Sequence, residues 1–306
     1  MFIVKAMKGG RWSGVFPALC TVTDRETNFD EEGMRRQVRA NMEWGADGVC
    51  STIIAGEFFK FSEDERMRIT EVVVDEVNGK VPVLAGVSHS GTELAIKLAI
   101  HAEEIGADGV IAMVPYFNHS PSRAIVKNHI GSICCNTDLP VMLQDAEDAT
   151  GIHLCPTQYL ELAEEHDNLK SIKLEGPRTL EKLKDINKIM PGRVSVFGGM
   201  AAKLVIDEAR YGSDGTIPSG CLTDLIKQIW IETSRRDYES ASMLYRRYKP
   251  WVNFFQDNPG ATAEIEKETL KLRGVISESS SRGPNITLGT EGLLTLRNIL
   301  KEMNVI

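Results

Sequence analysis

The sequence predicts an α/β protein built as a (β/α)8 TIM barrel with a C-terminal helical extension. Two observations predict it: a short glycine-containing string recurs at helix-to-strand junctions, and eight short apolar runs alternate with amphipathic helical patterns. Eight parallel βα units are typical of this barrel, whereas an open doubly wound sheet usually has fewer units and a glycine-rich phosphate turn after its first strand. No such turn follows the first apolar run here.

The recurring string begins at Gly45, Gly106 and Gly212. It reads Gly-Ala-Asp-Gly-Val in the first two copies and Gly-Ser-Asp-Gly-Thr in the third. The first glycine suits the left-handed cap at a helix end, and the Asp-Gly step turns the chain into the next strand. The intervals between the copies fit two and then four βα units of about thirty residues each.

Filling these intervals yields eight candidate strands, each followed by a helical pattern. They span residues 14–21, 48–54, 81–86, 109–114, 140–144, 169–173, 194–197 and 215–217. The remaining chain predicts helices over 238–255, 261–272 and 291–303, with a polar loop over 277–285. We therefore predict a catalytic barrel over 1–236 and a C-terminal helical extension over 237–306.

Composition excludes several classes of protein. The chain has 306 residues, of which 42% are hydrophobic, and a net charge of −8, so the overall field would not attract nucleic acid or an anionic membrane. No apolar run is long enough to span a bilayer or resembles a signal peptide, which predicts a cytoplasmic protein. The six cysteines lack the spacing of a zinc site, so we expect no metal.

Chemistry in a TIM barrel lies at the carboxyl ends of the strands, and the sixth predicted strand ends on Lys173. A lysine in a desolvated pocket can attack a carbonyl carbon and form a Schiff base. Read locally, the same residue is a lysine at a strand end that extends to water. Its place in the eight-strand pattern favours the Schiff base.

Several motifs along the chain carry a resemblance to a known family. They are Gly-Val-Phe-Pro-Ala over 14–18, Gly56-Glu57, Val-Pro-Val-Leu-Ala-Gly over 81–86, Pro-Tyr-Phe-Asn over 115–118, and Ile172-Lys173. Together they resemble the dihydrodipicolinate synthase and N-acetylneuraminate lyase family. The resemblance implies a Schiff-base lysine at Lys173, a small-molecule 2-keto acid substrate, no cofactor, and a homotetramer arranged as a dimer of dimers.

The chain departs from the family pattern at positions that carry chemistry. The tyrosine that shuttles protons in most members is Gln144 here, and the arginine for a substrate carboxylate is Ala149. The usual paired threonines are Ile54 and Ala55, and a second tyrosine is Phe117. An amide cannot shuttle a proton as a phenol can, so these departures argue against dihydrodipicolinate synthesis and against an unmodified neuraminate lyase mechanism.

One branch of the family fits the altered positions better. Gln144-Asp145-Ala146, Lys173 with Glu175, Ser88-His89 and the segment 271–277 resemble 2-keto-3-deoxy-L-arabonate dehydratase. This resemblance implies removal of water from a 2-keto-3-deoxy sugar acid to form 2-oxoglutarate semialdehyde.

Three residues are predicted to be catalytic. Lys173 condenses with the C2 carbonyl, and Glu175 takes the C3 proton because residues two apart on a strand point to the same side. Gln144 holds a water, since its amide both donates and accepts hydrogen bonds. Alternatively, Glu175 is a carboxylate at a helix N-terminus, and Gln144 is a neutral replacement in a drifted site.

A second set of residues is predicted to bind substrate. Its members follow predicted strands two, three, four, seven and eight: Gly56, Ser88, His89, Tyr116, Gly198 and Ser219. Two of them are better interpreted as structural residues. His89 is expected to form hydrogen bonds in the wall of the site and not to act as a base, and Tyr116 is expected to shape the site or a subunit contact.

Other functions remain open at this point. An aldolase would use the same imine but would release pyruvate, and it needs a base for the C4 hydroxyl that the absent tyrosine does not supply. A barrel that binds a sugar acid without turnover is a further alternative, because fold alone does not establish activity.

Overall fold

A computed structural model describes residues 11–116 and 122–306, and these residues contain the predicted barrel. Eight strands, β1 to β8, are Gly14–Val15, Val49–Ser51, Val83–Gly86, Gly109–Met113, Val141–Ala146, Leu169–Glu175, Ser195–Gly198 and Gly215–Thr216. All pairings are parallel, in the order β1-β8-β7-β6-β5-β4-β3-β2. Backbone hydrogen bonds of 2.9 Å from Leu19 to Cys50 and from Cys50 to Pro17 join the chain after β1 to β2 and close the barrel.

The first two strands are shorter than the sequence predicts. Pro17 has no N–H to continue a ladder, and beyond it Ala18 makes only isolated bridges to Cys50 and Ser219. Thr52 has a φ of 50°, which takes the chain out of extended conformation just after β2. Conversely, β6 continues to Glu175, so this residue belongs to a strand and not to a helix N-terminus.

The recurring glycine string has the predicted role at each of its three positions. Gly45, Gly106 and Gly212 adopt positive φ angles of 87°, 83° and 86°, which glycine accepts without steric cost. The aspartate of each copy also accepts a backbone N–H from the neighbouring strand, at 2.8 to 2.9 Å: Asp47 from Val15, Asp108 from Val83, and Asp214 from Val196. The string therefore terminates a helix and connects two adjacent strands.

Helices surround the barrel, and apolar side chains fill it. The first nine helices, α1 to α9, are Glu31–Glu43, Glu63–Val77, Thr92–Glu104, Arg123–Cys135, Glu147–Thr150, Pro156–Glu165, Thr179–Ile189, Val205–Arg210 and Thr223–Ser234. A central cluster that includes Phe16, Ile111, Met142 and Phe197 occupies the interior, and two larger clusters lie between strands and helices. The barrel is therefore a packed core and not a pore.

Three further helices, α10 to α12, follow the barrel: Tyr238–Asp257, Thr262–Leu272 and Gly289–Glu302. Tyr248 and Trp251 of α10 are fully buried and stack at 5.7 Å, and the Tyr248 hydroxyl donates to the backbone carbonyl of Ala201 after β7. These helices share one hydrophobic cluster with barrel residues. The domain boundary at residue 236 stays a prediction. Among the helices of the described segments, none is long and apolar enough to cross a membrane.

Candidate active site

Lys173 and Glu175 leave the same face of β6 at its carboxyl end. Their side chains form an ion pair, with Lys173 Nζ 3.0 Å from Glu175 Oε2. Alternation along a strand explains this placement, because residues two apart point to the same side of the sheet. The Lys173 side chain is only 4% exposed, so the amine lies in the desolvated setting that the sequence predicts.

Gln144 completes this group from the neighbouring strand. The register of β5 and β6 places Gln144 opposite Lys173. Its Nε2 donates a hydrogen bond of 2.7 Å to Glu175 Oε2, while its Oε1 is buried without a partner among the described residues. The structure therefore brings the three predicted catalytic residues together, with one amide acceptor still available.

The carboxylate of Glu175 is held from both sides. Its second oxygen accepts the backbone N–H of Met200 at 3.1 Å, in the loop after β7. Burial alone raises the pKa of Glu175, but the charge of Lys173 and the hydrogen bonds from Lys173, Gln144 and Met200 outweigh it, so the pKa is lowered. Glu175 is therefore a carboxylate at neutral pH, which is the form that accepts a proton.

Two glycines at the carboxyl end of β7, Gly198 and Gly199, leave room for carboxyl groups. A Cβ at Gly199 would lie 2.5 Å from Cγ of Glu175, and a Cβ at Gly198 would lie 1.8 Å from Oε2 of Glu208. Burial raises the pKa of Glu208 to about 8, and the negative charge of Glu175 adds to this shift. Any side chain at Gly199 would displace Glu175 or the loop.

A cavity of about 380 Å³ opens beside these groups. The barrel contributes Lys173, Glu175 and Ser219 to its wall, and the chain from Phe255 to Ile286 contributes much of the rest. Other lining residues include Ile54, Ala55, Glu57, Lys60, Met200, Pro259, Thr262, Glu264 and Glu266. The C-terminal helices and the loop between them therefore form part of the site.

Glu57 connects the loop after β2 to the C-terminal helices. Its carboxylate pairs with Lys60 at 2.5 Å and with Lys267 of α11 at 3.0 Å. Glu57 is 4% exposed and Lys267 is fully buried. The two ammonium groups also donate to backbone carbonyls of Arg282 and Ser280, so this network fixes one wall of the cavity.

The comparison with known proteins agrees with this geometry. The chain matches the Dihydrodipicolinate synthetase family over residues 11–303.

The chain belongs to this family.

Among curated relatives, the 4-hydroxy-tetrahydrodipicolinate synthase of Methanopyrus kandleri is 38% identical, covering 97% of this chain and 98% of the relative. The enzyme of the same name from Methanocaldococcus jannaschii is 28% identical, and the match covers 96% of this chain and 100% of the relative. The crystal structure of dihydrodipicolinate synthase from Thermotoga maritima aligns with a TM-score of 0.88 at 25% identity. The alignment covers 97% of this chain and 100% of that structure. The family consists of Schiff-base lyases, so this member is an enzyme of that class.

Ser219 is the predicted substrate-binding residue that lines the cavity of this family member. Its hydroxyl donates to Oε1 of Glu266, a carboxyl group of α11. Among the described residues, the other predicted binding residues lie outside the cavity lining: Gly56, Ser88, His89, Tyr116 and Gly198. Their roles in binding stay predictions.

Each of these residues outside the cavity has a structural contact. Ser88 Oγ accepts the backbone N–H of Met113 at 3.0 Å. His89 bonds Glu63 at 3.0 Å, and Tyr116 packs edge-on against Phe58. The Thr21 hydroxyl donates to the carbonyl oxygen of Gly56, and the backbone N–H of Ile217 donates to the carbonyl oxygen of Gly198 at 2.8 Å. Phe117 lies outside the described residues.

Sequence reasoning did not identify Glu266 and Lys267 as residues of this site. They occur in the segment Ile-Glu-Lys-Glu-Thr over 265–269, which reads as a charged face of an amphipathic helix. Both are nevertheless buried, because α11 lies against α10, α12 and the turn Ile54–Gly56 of the barrel. No local signal distinguishes them from exposed charges of the same helix.

Proposed function

We propose that this family member is a Schiff-base hydro-lyase that dehydrates a 2-keto-3-deoxy sugar acid, such as 2-keto-3-deoxy-L-arabonate, to 2-oxoglutarate semialdehyde. One observation carries the proposal: a carboxylate lies 3.0 Å from the amine of Lys173 and 2.7 Å from the amide of Gln144. This arrangement provides a base beside the lysine that would form the imine, while Gln144 occupies the position where the family's tyrosine is expected.

Imine formation begins with the ion pair itself. Transfer of a proton from Lys173 to Glu175 frees the amine, which attacks the C2 carbonyl of the substrate. The proton returns from Glu175 to the C2 oxygen, a second proton passes to that oxygen from the amine nitrogen, and the oxygen leaves as water. The products of this step are a protonated imine on Lys173 and a regenerated Glu175 carboxylate.

The protonated imine then acidifies C3 by accepting electrons. Glu175 removes a C3 proton and the C–H electron pair forms an enamine between C2 and C3. The enamine electrons re-form the imine and make a C3–C4 double bond, while the C4 oxygen leaves with its bonding pair and a proton as water. Tautomerisation and hydrolysis of this unsaturated imine release the product and restore Lys173.

Gln144 positions Glu175 in this scheme. Its Nε2 donates to the carboxylate, and its free Oε1 can accept from a substrate hydroxyl or a water. An amide in this place supports a mechanism with Glu175 as the base, since it cannot itself carry a proton between two groups.

The names of the relatives favour a second candidate, 4-hydroxy-tetrahydrodipicolinate synthase. The sequence argues against this activity, because Ile54, Ala55 and Gln144 replace the threonine and tyrosine residues of the family's proton relay. An aldolase that releases pyruvate is the further alternative. The homotetramer and the cytoplasmic location stay predictions.

A product assay separates these candidates. The enzyme is incubated with 2-keto-3-deoxy-L-arabonate and its six-carbon analogues, and semialdehyde and pyruvate are quantified separately. A parallel assay measures formation of 4-hydroxy-tetrahydrodipicolinate. Semialdehyde formation that is lost in Lys173→Ala and Glu175→Gln supports the dehydratase; pyruvate release or the synthase product would replace it with the corresponding alternative.

A further inference from the structure

Glu266 is a buried carboxyl group in the wall of the same cavity as Lys173. It lies on α11, it is 3% exposed, and it takes no part in the steps proposed for Lys173, Glu175 and Gln144. Burying an isolated carboxyl group costs free energy, so a buried carboxyl group in the wall of this cavity indicates a function for it.

The hydrogen bonding of Glu266 is incomplete. Oε1 accepts the hydroxyl proton of Ser219, whereas Oε2 is buried with no partner among the described residues. Burial raises the pKa of Glu266 to about 8, so the group is mostly protonated at neutral pH. Because Oε1 is the acceptor for Ser219, the carboxyl proton belongs on Oε2, where it is an unused hydrogen-bond donor.

Dehydration requires such a donor. Hydroxide is a poor leaving group, and the C4 oxygen needs a proton as its bond to carbon breaks. Glu175 is a carboxylate that receives the C3 proton, and Glu57 is held by two ammonium groups. Among the described carboxyl groups that line the cavity with Lys173, Glu264 accepts the backbone N–H of Leu288, whereas Glu266 has a buried oxygen without a partner and is the one in a position to supply a proton.

We propose that Glu266 is a second acid–base residue of this site, which protonates the C4 oxygen of the substrate as it leaves. The proposal rests on the proposed dehydratase function and names the acid for its elimination step. The C4–O bond breaks with its electrons on oxygen, the Oε2 proton converts that oxygen to water, and Glu266 becomes a carboxylate. A proton from water restores Glu266 and Glu175 returns the C3 proton to water, so both groups are reset for the next turnover.

The charged surroundings favour this proton transfer. Lys267 and Lys173 stabilise the carboxylate that forms, and Glu57 opposes it. The titratable groups that interact with Glu266 come from several packed elements: Lys173, Glu57, Lys267, Cys20, Cys221 and Tyr248. Burial and Glu57 keep Glu266 protonated before the reaction, while Lys267 and Lys173 allow it to release its proton during the reaction.

The test compares two leaving groups in the full-length enzyme. Glu266→Gln is assayed with the 4-hydroxy substrate and with the analogue that carries fluorine at C4, since fluoride leaves without a proton. We expect a loss of about 10²–10⁴-fold with the hydroxyl substrate and near wild-type turnover with the fluoro analogue. The matched control is Glu268→Gln on the same helix, whose carboxylate likewise accepts a serine hydroxyl, from Ser279 at 2.7 Å.

A pH profile provides a second readout that a structural role would not change. Dehydration by the wild type should decline as pH rises through about 8, where Glu266 loses its proton. Because the Ser219 hydrogen bond lowers the pKa of Glu266, Ser219→Ala should move this alkaline limb to higher pH. The limb should be absent with the fluoro analogue.

The possible outcomes separate this proposal from the proposed function. Equal losses with both leaving groups, or full activity of Glu266→Gln on the hydroxyl substrate, would overturn the acid role alone. A wild type that exchanges the C3 protons of pyruvate with solvent but dehydrates no sugar acid would overturn the dehydratase function and this role together. Retained exchange of pyruvate by Glu266→Gln is the check that the variant folds and forms the imine.

Discussion

Gln144 Nε2 lies 2.7 Å from Glu175 Oε2, the same oxygen that lies 3.0 Å from Lys173 Nζ. One carboxylate oxygen thus connects an amide of β5 to an amine of β6. The parallel register makes this possible by placing Gln144 directly opposite Lys173. A shift of one residue in either strand would turn the side chain to the other face of the sheet.

Replacing the lysine should abolish imine chemistry. Lys173→Ala is expected to lose at least about 10³-fold in turnover and all covalent trapping of pyruvate by borohydride, because the nucleophile is absent. Mass spectrometry of the reduced adduct measures this. Lys170→Ala, on the same strand but outside the cavity, serves as the control, and trapping that survives in Lys173→Ala would place the imine elsewhere.

Replacing the base should separate binding from proton removal. Glu175→Gln is expected to lower turnover by about 10²–10⁴-fold and to slow C3 exchange of pyruvate to a similar degree. Exchange is followed by NMR in deuterium oxide. An unchanged exchange rate would mean that another group takes the C3 proton.

The acid limb of the pH profile should depend on Gln144. The pKa of Glu175 is lowered, so the base keeps its active carboxylate form until pH falls through that lowered pKa. Gln144→Ala removes one of the hydrogen bonds that lower it, and activity should therefore be lost at a higher pH than in the wild type. The exposed Gln228→Ala on α9 should leave the profile in place; an unmoved limb in Gln144→Ala would contradict the assignment.

A methyl group at Gly199 should displace Glu175 without changing its chemical identity. The added Cβ would lie 2.5 Å from Cγ of Glu175, so the side chain or the loop must move. We expect Gly199→Ala to lose about 10²-fold in turnover, since small misplacement of a catalytic group has effects of this size. The control is Gly91→Ala, whose Cβ would meet no atom closer than 3.5 Å, and equal activity of the two variants would refute the steric argument.

Removing Glu57 should cost more stability than removing either of its partners. Glu57→Gln leaves two buried ammonium groups without a carboxylate and should lower the free energy of unfolding by about 3–5 kcal/mol. Lys267→Met should cost less, because Lys60 still pairs with Glu57. Urea unfolding measures both, with Asp75→Asn in an exposed pair as the control expected to cost less than about 1 kcal/mol.

Sequence pattern was sufficient for the architecture and for the strand ends that carry the predicted catalytic residues. Apolar runs, alternation on β6 and the string at Gly45, Gly106 and Gly212 are local signals, and barrel topology converts them into positions in space. The same logic predicted that Lys173 and Glu175 share a face. Gln144 was identified because it stands where a tyrosine is usual in the family.

The cavity wall was decided by tertiary structure alone. Glu266 and Lys267 lie about ninety residues beyond Lys173 in the chain, and only the packing of α11 on the barrel brings them to the site. Likewise, Ser88 and Tyr116 follow strands as the sequence predicts, yet their side chains make contacts away from the cavity. Periodicity determines which face of an element a residue occupies, whereas burial and the pKa of an acid depend on which other elements cover that face.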